Sequence, residues 1–249
     1  MKINIIYEDN HLIAAEKPAG ILSQQDSSGV PSLLDFVKDY IKEKYRKPGN
    51  VFLGLVHRLD RPVSGITLFA RTSKAARRMQ REFAGRNVVK IYIALVETAK
   101  QLDQDVWIEQ EDRLVRKRGY SEIADADSSN IKTARMKFIA ITANEKYALL
   151  MVSLLTGRKH QIRAQLASLR MPVVGDVKYG SRERLGDDSI CLHALYCGFE
   201  HPTTKEPVEL YSSIPERISE RIKIDDSLMR KIKNLIAFPD PLRPQGTDE

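Results

Sequence analysis

Asp60 lies in the run GLVHRLDRPVSGITLFAR, residues 54–71, between Arg58 and Arg61 and directly ahead of a Pro-Val-Ser-Gly turn. A carboxylate at the end of an apolar segment suits two tasks. It can stabilise the turn through a neighbouring arginine, or it can face a cleft as a nucleophile or base, kept ionised by a nearby cation. A second reactive grouping occupies LLTGRKHQIRAQLASL, residues 154–169, where Arg158, Lys159, His160 and Arg163 fall within two helical turns. Arg163 sits next to a core-facing Ile162, so its charge is held partly buried. An unpaired internal charge is very costly, so Arg163 demands an anion. Asp60 or a phosphate would serve. Pairing with Asp60 would keep that carboxylate ionised and oriented, and a purely structural salt bridge is the competing reading.

Other side chains with chemical potential read differently. His57, His160 and His193 lack the i, i+4 spacing of a helical metal site, and no cysteine or carboxylate cluster accompanies them, so no metal is expected. Cys191 and Cys197 match neither a zinc site nor a disulfide framework, which fits a reducing, cytoplasmic setting. Tyr92 lies in a basic neighbourhood, opposite in strand parity to Ile91 and Ile93, as a core residue or as a ring for stacking on a base.

These groups need elements to hold them. INIIYED and HLIAAEKPAG predict a hairpin running into a Pro-Gly turn, and Ser32 caps a helix whose apolar face is Leu33, Phe36, Val37, Tyr40 and Ile41. VFLGLVHRLD reads as a strand ending at Asp60, which would point Arg58 and Asp60 to one face, with a further strand in ITLFAR. A helix capped by Ser73 follows, with Ala76, Met79 and Phe83 inward and Arg77, Arg78 and Arg81 toward solvent or a ligand. VVKIYIALVE, TARMKFIAIT and KYALLMVSLL predict strands, residues 103–130 a polar hairpin or loop excursion, residues 159–169 a helix, and Pro215 to Phe238 a helical region. The tail 239–249 is proline-rich and polar and is expected to be disordered. Strands and helices mix without regular alternation, favouring an α+β fold on a largely antiparallel sheet.

Composition narrows the partners. Lys and Arg exceed Asp and Glu by 40 to 33, and from Arg71 to Lys90 seven basic residues face one acid, Glu82, so the positive field gathers next to Asp60. A polyanionic partner fits that field. The longest apolar stretch, YALLMVSLL, is far short of the roughly 20 residues that span a bilayer, so no membrane partner is expected.

In chain order, IIYEDNHLIAAEKPAG, HRLDRPVSGITLFAR, KIYIALV, TGRKHQIRAQLA and CLHALYCGFEHP resemble the motifs of the RluA family of RNA pseudouridine synthases, across roughly residues 3–215. The resemblance implies a mixed, mainly antiparallel sheet in two halves flanked by helices, with a catalytic cleft, over one catalytic domain, residues 1–238. It implies Asp60 as nucleophile or acid-base group, Arg163 as its salt-bridge partner, and Tyr92 against the target uracil. Arg58 would help flip the nucleotide, Leu192 would line the base pocket, and His57 and His160 would support substrate binding. Val63 stands where the family usually has Thr, and Gln165 where it often has His. The chain begins at the catalytic domain, so affinity for ribosomal or transfer RNA would come from Arg77, Arg78, Arg81 and the RLVRKR excursion. No cofactor is implied, and a monomer is the default. A catalytically silent RNA-binding or ribosome-assembly protein on the same fold is the alternative.

Overall fold

The computed structural model describes residues 3–98, 102–125 and 128–237, so the expected tail at 239–249 lies outside the described residues. The chain divides into two compact units, one formed by Met1–Val88 with Ala194–Ser213 and the other by Val89–His193 with Ile214–Glu249.

In the first unit, β1 (Ile5–Glu8) and β2 (Leu12–Lys17) form the expected hairpin, and β2 pairs antiparallel with β4 (Ser64–Ala70). All seven residues of β4 are buried, because both faces of the sheet are covered. On one face, Leu12, Ala14, Ile66, Leu68 and Ala70 pack against Ala75, Ala76 and Met79 of α2 (Ser73–Ala84). On the other, Ile13, Ala15 and Phe69 meet Leu33, Val37 and Ile41 of α1 (Leu33–Lys44). The period-2 alternation of two strands thus sorts its side chains between two helices. Ser32 caps α1 with Asp35, whose carboxylate accepts the Ser32 N–H and hydroxyl. The cap of α2 is Thr72, accepting from Ala75 N, one residue before the expected Ser73. The segment Ala194–Glu200 of β10 (Leu192–Glu200) and its partner β11 (Pro207–Tyr211) complete this sheet.

The expected strand 51–60 is corrected. Regular pairing covers only β3, Gly54–Leu55, which pairs with Ala70 and Phe69. The next amide along β4, that of Leu68, donates instead to His57 Nε2 at 2.9 Å, and the Leu59 peptide is taken by a side chain. Side-chain partners replace the ladder, so residues 56–60 run as an irregular loop.

The second unit is an antiparallel sheet in the order β5 (Val89–Glu97), β9 (Tyr147–Leu154), β8 (Lys132–Ala143), β6 (Ile108–Arg116), β7 (Ser121–Ile123). Residues 108–123 are therefore a hairpin, whose tip exposes Arg116, Lys117 and Arg118. The helix expected over 159–169 is α3, Gln161–Ser168, and its residues 161–166 are buried all round. Two shorter pieces replace the single C-terminal helical region: α4 (Glu216–Ser219) and α5 (Asp226–Ala237). Among the described residues no helix is long and apolar enough to cross a membrane.

Candidate active site

Asp60 is half-buried on the loop between β3 and β4, and its carbonyl accepts Val63 N–H at 3.0 Å, closing the turn 60–63. Two side chains pin this loop from outside. The Ser23 hydroxyl accepts Leu59 N–H at 3.0 Å and donates to Leu59 C=O at 2.9 Å, burying Leu59 and leaving Arg58 exposed. Lys17, fully buried, donates from its ammonium to the carbonyls of Pro18 (3.0 Å), Ile21 (2.6 Å) and Arg61 (3.0 Å). The Arg61 carbonyl also accepts Gly20 N–H, while Arg61 Nε donates to Gly20 C=O, so loops 17–21 and 60–63 are fastened together. A buried ammonium is tolerable only with such a set of acceptors. After the turn, Gly65 adopts φ +115° against the Ala194 backbone, where a Cβ would collide with the Ala194 carbonyl and amide. Asp60 is thus held on a turn whose geometry is set on both sides.

Lys17 was missed in the sequence, where EKPAG read only as a Pro-Gly turn. The signal was a lysine in strand parity with the core-facing Ile13 and Ala15.

His57 accepts the Leu68 N–H through Nε2 and stacks on Phe83 at 4.8 Å between ring centroids, so its imidazole is part of the scaffold behind the Asp60 loop. Of the three α2 arginines, Arg77 and Arg81 are exposed, while Arg78 corrects the expectation. It is half-buried, and its Nη1 donates to Pro202 C=O at 2.7 Å, tying α2 to the turn after β10.

The remaining candidates lie in the second unit. Tyr92 is buried in β5, opposite Val152 of β9. Leu192 is buried at the start of β10, and His193 beside it is fully buried, its pKa pushed down to about 3 by burial and then by the Arg217 charge. Arg163 has an anion within the unit. Its Nε and Nη2 donate to the two carboxylate oxygens of Asp176 at 2.6 and 2.8 Å, with both side chains almost wholly buried. The sequence offered Asp60 or a phosphate for this role and passed over Asp176, which stands in VVGDVKYG just before a 3₁₀ turn, Val177–Tyr179. The Tyr179 ring lies over the Arg163 guanidinium at 4.9 Å. The Tyr179 hydroxyl donates to Ser121 C=O and accepts Ser121 N–H, and His160 Nδ1 lies within hydrogen-bond distance of the same hydroxyl at 2.9 Å.

The sequence brings this about locally. Gln161 accepts Thr156 Oγ–H and Arg158 N–H through Oε1 and donates to Arg135 C=O, tightening the Thr-Gly-Arg loop, and His160 at φ 54° turns the chain into α3. Gln165 Nε2 donates to Asp112 Oδ2 at 2.8 Å and to Ala134 C=O at 3.2 Å, anchoring the helix to β6 and β8. Among the described residues no group of three or more His, Cys, Asp or Glu is placed to hold a metal ion.

Comparison with known proteins identifies the class. Residues 11–168 match the family model described as RNA pseudouridylate synthase. A tRNA pseudouridine synthase C of Vibrio cholerae is 32% identical over 86% of this chain and 92% of its own length. A ribosomal large subunit pseudouridine synthase C of Vibrio parahaemolyticus is 29% identical over 86% of this chain and 66% of its own. The solved structure of human RNA Pseudouridylate Synthase Domain Containing 1 superimposes with a TM-score of 0.71 over 96% of this chain and 97% of that one, at 24% identity, which is a likeness of fold. With its motifs, its α+β architecture and these relatives in agreement, the chain belongs to the RluA family of RNA pseudouridine synthases.

Proposed function

We propose that this protein isomerises specific uridines in transfer or ribosomal RNA to pseudouridine, with Asp60 as the catalytic carboxylate. The observation that carries the reading is the near end-to-end similarity to a tRNA-modifying relative, joined to a carboxylate on a turn pinned by Lys17 and Ser23. The chain spans 92% of that relative and 66% of the rRNA-modifying one, which makes transfer RNA the first substrate to try.

In this reading the N1–C1′ bond breaks, the uracil turns, C5 bonds to C1′, and the C5 proton leaves while N1 takes one up, so atoms balance with no co-reactant. The base must first leave its stack. Asp60 either attacks C1′ or takes the C2′ proton toward a glycal. Arg163, held by Asp176 through Nε and Nη2, is the proposed salt-bridge partner of Asp60. Tyr92 and Leu192 contact the uracil. Arg58 fills the space of the flipped nucleotide, His160 serves substrate binding, and His57 does so through the loop it supports. Arg77, Arg81 and the tip residues Arg116, Lys117 and Arg118 contact phosphates. The protein works as a monomer in the cytoplasm, with residues 1–238 as one catalytic domain.

The test is tritium release from tRNA and rRNA transcripts labelled at uridine C5. Release with chain length preserved supports the proposal; RNA bound without release from either class favours a silent binder.

A further inference from the structure

A groove of about 590 Å³ in the second unit lies apart in sequence from every residue assigned above, lined by Asp105, Trp107, Ser227, Arg230, Lys231, Asn234 and Leu235. Its volume is in the range of ligand sites. One wall is a helical stripe. Residues 227, 230, 231, 234 and 235 follow the i, i+3, i+4, i+7, i+8 spacing on α5, while Ile232 and Ile236 are buried.

The opposite wall is held in an unusual backbone conformation. Asp105 sits at φ 65°, and its N–H donates to Ala140 C=O at 3.3 Å. The β8–β9 register slips between Ala140 and Thr142, a bulge that releases Ile141 C=O to accept Lys231 Nζ at 2.9 Å. The same ammonium pairs with Asp105 at 2.6 Å. Lys231 therefore clasps both walls, and a bulge with a left-handed non-glycine residue commonly marks a place where a site is being shaped.

The lining selects among occupants. The surface the groove exposes is mainly apolar, with Trp107 as its one aromatic ring, and Arg230 and Asn234 add a cation and an amide, so a fitting occupant is a flat apolar body that also carries an anion. A nucleotide has both parts, a base that can stack and a phosphate. We infer that the groove holds one unpaired nucleotide of the RNA, with its base stacked on the Trp107 indole, its base edge on Asn234 and its phosphate on Arg230. The inference rests on the RNA-modifying reading and adds to it a second contact point, on α5, that takes single-stranded RNA.

Trp107 is the only tryptophan in the chain, so its fluorescence reports on this groove alone. The intact protein is titrated with a short single-stranded oligouridylate at low salt. Saturable quenching is expected, weakened about tenfold by Arg230→Glu with the salt slope reduced by about one. Inorganic polyphosphate should not quench, and Asp60→Asn should quench like the wild type. Overturning results are an RNA that binds by anisotropy while tryptophan emission stays constant, equal quenching by polyphosphate, an Arg230→Glu protein with unchanged affinity, or quenching that follows protein concentration alone, which means self-association. If quenching and its Arg230 dependence hold while no RNA is isomerised, the groove stands and the enzymatic reading falls.

Discussion

Asp176→Ala removes the carboxylate that accepts Arg163 Nε and Nη2, at a position where the carboxylate side chain is 1% and the guanidinium side chain 5% exposed. Breaking a buried pair from one side costs about 3–5 kcal/mol, and the two hydrogen bonds at 2.6 and 2.8 Å place this pair among the charge-assisted, bidentate ones. Against a typical total of roughly 5–15 kcal/mol, the loss is a large fraction of the stability. Asp176→Asn keeps one acceptor and should cost less. The double variant Arg163→Met/Asp176→Leu removes both charges at once and should cost much less than the two single losses added together. Urea unfolding followed by far-UV circular dichroism measures each. An Asp176→Ala protein within about 1 kcal/mol of the wild type, or single losses that add in the double variant, would refute the account of Arg163 as a buried ion held by Asp176.

Lys17→Met leaves the carbonyls of Pro18, Ile21 and Arg61 without their shared donor. A loss of about 2–4 kcal/mol in urea unfolding is expected, with isomerisation falling further than RNA affinity because the Asp60 turn loses its anchor. His193 gives a pH signature. Its pKa is about 3 in the folded chain against an ordinary value near 6.5, so between those limits the unfolded chain binds a proton that the folded one does not. Its contribution is complete above the upper limit and is lost as pH falls toward the lower, by up to about 1.4 kcal/mol per pH unit. That part of the acid slope should vanish in His193→Gln, and a slope unchanged by the substitution would contradict neutral burial. Cys191, pushed up to about 11 by burial, and Cys197, also buried, should react with a thiol reagent only as fast as the protein unfolds; rapid native-state labelling would show that one is accessible.

Much of the fold was legible because its signals are local. The alternation in KIYIALV and LIAAEK, the Ser32 cap and the spacing of Ala76 and Met79 each depend on a few neighbouring residues. The strand expected up to Asp60 failed for a non-local reason. Whether residues 56–60 pair with β4 depends on the His57 imidazole and the Ser23 hydroxyl, 36 residues away in the chain from its partner Leu59, taking the hydrogen bonds of a ladder. Arg163 shows the same boundary. Its burial was readable from Ile162 beside it, and so was the need for an anion, but that Asp176 supplies one depends on a turn 13 residues on. Arg78 looked like its neighbours Arg77 and Arg81 because helical position alone cannot show that Pro202 C=O lies within reach. The motifs around Asp60, Tyr92 and Arg163 were readable as a family pattern, whereas Lys17 and Asp176, which hold the loops and charges in place, became visible only in three dimensions.

The central claim is that Asp60 carries out uridine isomerisation in a bound RNA. The direct measurement is single-turnover tritium release from C5-labelled transfer RNA by the wild type and by Asp60→Asn, with RNA affinity determined on the same preparations. The account predicts release by the wild type and none by the variant, with affinities within a few-fold of each other. Release by Asp60→Asn at a rate near that of the wild type would contradict it.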